Sequence, residues 1–198
     1  MTEIEKWKIL QSQFIVDNRW CRVRKDCVQL PDGEVVDDYF IHVRPDIALV
    51  LPITGDRNIV FVRQYRHGVG QILLELPAGS FDPQRENSVE AAKRELEEET
   101  GYYAEHLHKL ATLYDNPVKD TNAIHLFLAE GVIYSGKRKF DITEDIEIVL
   151  IPLEEVAERI KNREICVAGT LSALFLGLNY LNTSQLQSTP YPSHKGRE

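Results

Sequence analysis

Cysteine is scarce in this chain, and the three present, Cys21, Cys27 and Cys166, form no CxxC pair. An odd, sparse set supports neither a disulfide framework nor a paired-thiolate zinc site, so these read as reduced structural thiols. Long apolar runs are also missing. No stretch reaches the roughly 18 apolar residues of a membrane span, and the opening Met1-Thr-Glu-Ile-Glu-Lys-Trp-Lys8 has no apolar leader core. A cytoplasmic protein without a membrane partner is expected. Basic surplus is lacking too: 23 Lys and Arg against 31 Asp and Glu leave a net charge of −8, which argues against nucleic acid as a partner. An anionic substrate would therefore need local arginines or metal ions. Absent as well are a GxSxG nucleophile elbow, a GxxxxGK[ST] phosphate loop and an HExxH zinc pattern. The histidines, His42, His67, His106, His108, His125 and His194, form no recognisable ligand cluster.

What is present is an ordinary globular composition, 43% hydrophobic and 27% charged over 198 residues, enough for one domain with a single core. Residues 12–44 read as a β-meander, with strand-like Phe14-Ile-Val and Cys21 to Leu30 and a turn of the Asp-Gly kind at Pro31-Asp32-Gly33. This predicts an N-terminal antiparallel β extension over 1–44, then a domain over 45–182. The apolar runs Ile47–Ile53 and Ile59–Arg63 predict a second hairpin, buried on both faces. Further strands are expected at Ile72–Leu76, 108–114, Ile124–Ala129 and Ile146–Pro152. Helices are expected at Leu153–Lys161 and about Val167–Leu181; the second is apolar around most of its circumference, for deep packing or a subunit interface. From Thr183 to Glu198 the polar, aperiodic chain reads as a disordered tail.

The densest chemistry lies in Asn87-Ser-Val-Glu-Ala-Ala-Lys-Arg94-Glu95-Leu-Glu-Glu98-Glu99-Thr-Gly101. Asn87 or Ser88 is the N-cap and Gly101 the left-handed stop, so a helix spans about 88–100. Val89, Ala92 and Leu96 make a buried stripe, while Glu95, Glu98 and Glu99, at i, i+3 and i+4, converge on a neighbouring face. Like charges so spaced cost ~0.2–0.5 kcal/mol per pair on an isolated helix. The face is either a solvated charged surface or a ligand set for a hard cation such as Mg²⁺, with Mn²⁺ as substitute.

With Gly79 and Glu86 ahead of it, this stretch resembles the Nudix box: Gly, five residues, Glu, seven residues, Arg-Glu-aliphatic-x-Glu-Glu-x-Gly-aliphatic. Glu86, Arg94, Glu95, Leu96, Glu98, Glu99 and Gly101 match; Gly79 stands one residue too far from Glu86, and Tyr102 fills the last aliphatic place. The resemblance implies an α/β fold, the Nudix α/β/α sandwich around a mixed sheet, and hydrolysis of a diphosphate linked to a nucleoside. It implies metal ligation by Glu95, Glu98, Glu99 and the Ala78 carbonyl, with Arg94 orienting the carboxylates and Glu86 supporting the loop.

Val62-Arg63-Gln64-Tyr65-Arg66, Leu74-Glu75-Leu76-Pro77-Ala78-Gly79 and Pro117 are similar to the ADP-ribose pyrophosphatase branch of that family. Arg66 is then the phosphate candidate, with Glu75 fixing Arg63 or Arg66; a purely structural Arg–Glu pair is the other reading. Glu144 is implied as the late acid that assists the water, ahead of Asp145 and Glu147. The branch also implies a homodimer whose N-terminal extensions help build the nucleoside pocket, with Trp20, and Tyr39 or Phe40, available to stack on adenine. The expected reaction is ADP-ribose to AMP and ribose 5-phosphate with Mg²⁺. GDP-mannose or another nucleoside diphosphate sugar is the alternative substrate, and a non-catalytic nucleotide-sensing module the alternative function.

Overall fold

The structure, a computed structural model, describes residues 4–139 and 145–188. Strands β1 (Lys8–Asp17), β2 (Arg22–Gln29) and β3 (Val35–His42) form a separate antiparallel sheet in that order. The expected Pro31-Asp32-Gly33 turn joins β2 to β3, with Gly33 at φ 92° and its N–H donating to the Leu30 carbonyl. The end of β3 ties this sheet to the rest of the chain: the His42 N–H donates to the Lys119 carbonyl at 2.7 Å, and the Tyr39 hydroxyl to the Val118 carbonyl at 3.0 Å.

The remaining strands are β4 (Asp46–Thr54), β5 (Asn58–Arg66), β6 (Gln71–Glu75), β7 (Ala78–Phe81), β8 (Tyr102–Tyr103), β9 (His108–Leu113), β10 (Ile124–Tyr134) and β11 (Ile146–Pro152). They build one mixed sheet of order β11-β5-β4-β10-β8, in which β4 and β10 run parallel. Helix α1 (Ser88–Thr100) covers one face, where Ala91, Ala92 and Leu96 pack on Ala48, Val50 and Phe127. Helices α2 (Val156–Lys161) and α3 (Ala168–Ser188) follow β11, a 3₁₀ turn at Leu153–Glu155 preceding α2. Leu174 and Ala173 of α3, with Val156 of α2, cover the other face over Leu49, Leu51 and Phe61. Full burial of a side chain such as Phe61 contributes about 1.5–3 kcal/mol.

The β4–β5 hairpin is less regular than its sequence suggests. The two strands pair only at Ile53 and Ile59, beside the turn, and then diverge. The segment Gln71–Phe81 enters the gap: β6 pairs with β5, β7 pairs with β4, and the Pro77 carbonyl accepts from the Val50 N–H at 3.0 Å. Pro77, without an N–H, stands where the segment leaves one ladder for the other.

Helix α3 continues past the expected end at Leu181, and the Thr183 hydroxyl donates back to the Asn179 and Tyr180 carbonyls. Residues 189–198 of the expected tail lie outside the described residues. Phe175 points away from the core at 73% exposure, so the apolar circumference of α3 is only partly packed. Among the described residues no helix is long and apolar enough to cross a membrane.

Candidate active site

Local signals place α1 closely. The Asn87 Oδ1 accepts from the N–H groups of Val89 and Glu90, both at 3.0 Å, and Gly101 at φ 73° closes the helix with its N–H on the Glu97 carbonyl. The buried side differs from the expected stripe. Val89 is 39% exposed, whereas Ala91, Ala92, Leu96 and Thr100 are buried, and so are Glu95 and Glu99, at 9% and 4%. Small alanines let the helix lie close to the sheet, which draws two of its carboxylates over β7.

The β7 strand has a glycine where the helix arrives. A Cβ on Gly79 would fall on the Glu95 carboxylate, so that carboxylate is seated directly against bare backbone. The Ala78 N–H donates to Glu99 Oε2 at 3.0 Å. Two glutamates of the helix are thus registered against two successive residues of the strand.

Arg94 joins the acids to one another. Its Nε and Nη2 donate to the two oxygens of Glu86 at 3.0 and 2.8 Å, while Nη1 donates to Glu95 at 2.6 Å and Glu98 at 3.1 Å. The Glu86 hydrogen bonds, ahead of those from Glu95 and Glu98, raise the guanidinium pKa above its ordinary value. The same hydrogen bonding by Arg94 outweighs burial and holds the Glu86 carboxyl below the ordinary glutamate range.

The extra residue between Gly79 and Glu86 does not disturb this arrangement. It is absorbed in a turn in which the Asp82 carbonyl accepts from the N–H groups of Arg85 and Glu86, and Asp82 Oδ1 from that of Gln84. Tyr102 fits the last position of the box because its ring packs against Tyr134, with centroids 5.1 Å apart.

Among the described residues no three His, Cys, Asp or Glu side chains close on one point as a ready-made cage. Glu95, Glu98 and Glu99 line one cavity, with Arg94 bonded to the first two. The donor set still suits Mg²⁺, which keeps several waters and takes one or two carboxylates plus substrate oxygens instead of an all-protein cage.

Residues 43–167 match the NUDIX domain, and residues 7–42 match the nucleoside diphosphate sugar hydrolase N-terminal domain. The chain belongs to the Nudix hydrolase family. It is 33% identical to an ADP-ribose pyrophosphatase of Bacillus subtilis over 74% of this chain and 79% of that one. It is 34% identical to a GDP-mannose pyrophosphatase of Escherichia coli, over 78% and 83% of the two chains. A solved ADP compounds hydrolase superposes with a TM-score of 0.82 at 25% identity, covering 93% of this chain and 98% of its own.

In this Nudix chain the two arginines of Arg63-Gln-Tyr-Arg66 separate. Strand parity puts Arg66 on the face covered by α1, where Nε and Nη2 donate to the two oxygens of Glu75 at 2.9 and 2.8 Å. Arg63 points to the opposite face and donates to Glu147 at 2.9 and 2.6 Å. Glu75 therefore fixes Arg66, and Glu147 stands on the far side of the sheet from the α1 carboxylates. Asp145 is exposed just ahead of β11, and Glu144 lies outside the described residues. Pro117 begins an exposed turn that the Tyr39 hydroxyl pins to the N-terminal sheet. Trp20, 72% exposed at the β1–β2 turn with the Arg19 guanidinium 4.3 Å from its ring centroid, is not among the residues lining the carboxylate site.

Two residues near the site went unnoticed in the sequence. Arg138 donates to the carbonyls of Glu99 and Ile146, at 3.3 and 2.7 Å, and so couples the end of α1 to β11. Lys139 lines the carboxylate cavity. The signal available was the basic run Lys137-Arg138-Lys139 in an otherwise acidic chain.

Proposed function

We propose that this Nudix hydrolase cleaves the diphosphate bond of ADP-ribose, giving AMP and ribose 5-phosphate. The observation that carries the reading is the seat of Glu95 on Gly79, with Arg94 joining Glu95 to Glu86 and Glu98. It is an acidic cluster held in place at an open cavity. The resemblance to an ADP-ribose pyrophosphatase over 74% of the chain supports the substrate.

In this reading Glu95, Glu98, Glu99 and the Ala78 carbonyl hold Mg²⁺, which would supply Lewis-acid activation of water and offset charge on the diphosphate. Arg94 keeps Glu95 and Glu98 from swinging apart. Arg66, oriented by Glu75, is assigned to a substrate phosphate, and Arg63 has no direct part because it faces the other side. Glu144 is assigned to the attacking water. The oxygen of that water bonds to one phosphorus, the bridging P–O bond breaks, and the products leave as two phosphomonoesters. Mg²⁺ and nucleotide sugars accord with a cytoplasmic location.

A homodimer completes the reading. All ten residues of β1 are exposed, among them Ile9, Phe14 and Ile15, and a second copy would bury this apolar strand and bring Trp20 or Pro117 to a nucleoside. Sedimentation of the wild type and of a Phe14→Asp, Ile15→Asp variant tests it; a monomeric wild type refutes it.

GDP-mannose is the second reading, favoured by the 34% identical Escherichia coli relative. A panel of nucleoside diphosphate sugars with Mg²⁺, scored by release of AMP, GMP and phosphosugar, decides between them. ADP-ribose should give the highest kcat/KM. A clear preference for GDP-mannose selects the second reading, and nucleotide binding with no turnover selects a sensor.

A further inference from the structure

The acidic cavity, of about 260 Å³, has a cation in its wall besides Arg94: Lys139, alongside Ser80 and the glutamates of α1. The two cations are differently engaged. Arg94 commits four of its N–H groups to Glu86, Glu95 and Glu98, leaving little of the guanidinium for a ligand. Lys139 is fixed through its main chain, whose N–H donates to the Glu98 carbonyl at 3.0 Å, while the preceding Arg138 bonds the carbonyls of Glu99 and Ile146. Its ammonium makes no hydrogen bond or ion pair with any described residue.

A lysine beside a carboxylate cluster would ordinarily be explained as its counter-ion. Here Arg94 already holds that place, and a divalent cation on the glutamates would repel a nearby ammonium and leave it facing the cavity. A diphosphate entering the cavity brings oxygens that the metal alone does not neutralise. Lysine suits them, being a compact point charge on a flexible stem that adjusts as the P–O bond lengthens.

We propose that Lys139 is a substrate-contacting residue: its ammonium donates to a non-bridging oxygen of the diphosphate and stabilises the charge gathering on the departing phosphate. This rests on the hydrolase reading given above. Because the anchor is the main-chain N–H, side-chain substitutions at Lys139 leave the cavity wall in place.

The test measures binding of a methylene-bridged, non-hydrolysable ADP-ribose analogue by calorimetry, Mn²⁺ binding by electron paramagnetic resonance, and kcat/KM, for wild type, Lys139→Ala and Lys139→Arg. Lys139→Ala should lose about 10- to 100-fold in analogue affinity and kcat/KM, the loss of one charge-assisted hydrogen bond. Its Mn²⁺ affinity should be unchanged or higher, since a positive charge has been removed, and Lys139→Arg should recover most of the binding. Analogue affinity in Lys139→Ala equal to wild type overturns the proposal. So does a parallel fall of Mn²⁺ affinity and melting temperature without recovery in Lys139→Arg, the pattern of a loop-holding residue. A wild type that binds Mn²⁺ but no nucleoside diphosphate sugar analogue removes the hydrolase reading itself, and this proposal with it.

Discussion

The Glu95 carboxylate rests against the α-carbon of Gly79, in the space that any other residue would fill with its Cβ. Gly79 is not among the residues with positive φ, so the box glycine is required here for close approach and not for an unusual backbone. A short side chain would displace a proposed ligand of the metal while leaving the fold intact.

Gly79→Ala should therefore separate activity from stability. Overpacking costs about 1–3 kcal/mol, which lowers the melting temperature modestly, whereas Mn²⁺ affinity and kcat/KM should collapse together. Wild-type activity in this variant would mean that Glu95 moves without consequence.

Glu99 is buried and bonded through Oε2 to the Ala78 N–H. Glu99→Gln keeps the shape and removes the charge. Turnover should fall on the order of 100-fold or more, because several kcal/mol of charge stabilisation depend on the cation. Circular dichroism should be unchanged. Full turnover at saturating Mg²⁺ would exclude Glu99 as a ligand.

Arg66 and Glu75 distinguish a substrate arginine from a structural pair. Arg66→Lys keeps the charge but loses the planar fork, so KM should rise about 10-fold or more, as one charge-assisted contact is weakened. Glu75→Gln should show the same KM effect through loss of orientation, and the double variant should add little. A fall in melting temperature with KM untouched would make the pair purely structural.

The Glu86–Arg94 pair sets a pH dependence of stability. Hydrogen bonding by Arg94 holds the folded Glu86 carboxyl below its ordinary value of 4.5. Its contribution is complete above that value and is lost as pH falls through the lowered folded one. Thermal unfolding of wild type and Glu86→Gln should thus differ at neutral pH and converge in acid. A difference that persists in strong acid would show that the ion pair is not its source.

Much of this was legible in the chain. Asn87 and Gly101 bounded α1 because caps depend on a few neighbouring residues, and the Pro31-Asp32-Gly33 turn followed from backbone preferences alone. The spacing from Glu86 to Gly101 carried the family, and the sheet's apolar runs carried its buried strands. The burial of Glu95 and Glu99 was less legible: periodicity marks apolar residues as inward-facing, and only contact with a bare glycine admits a carboxylate to that side.

By itself the sequence determined the limits of α1, the apolar strands of the sheet and the acidic chemistry, since each depends on interactions within a few residues. Tertiary structure alone decided that β4 and β5 separate to admit Gln71–Phe81, that Glu75 meets Arg66 while Glu147 takes Arg63, that Arg138 ties α1 to β11, and that Lys139 lines the cavity. The reason is strand parity and long-range pairing: neighbouring positions face opposite sides of a sheet, and their partners lie on segments distant in the chain.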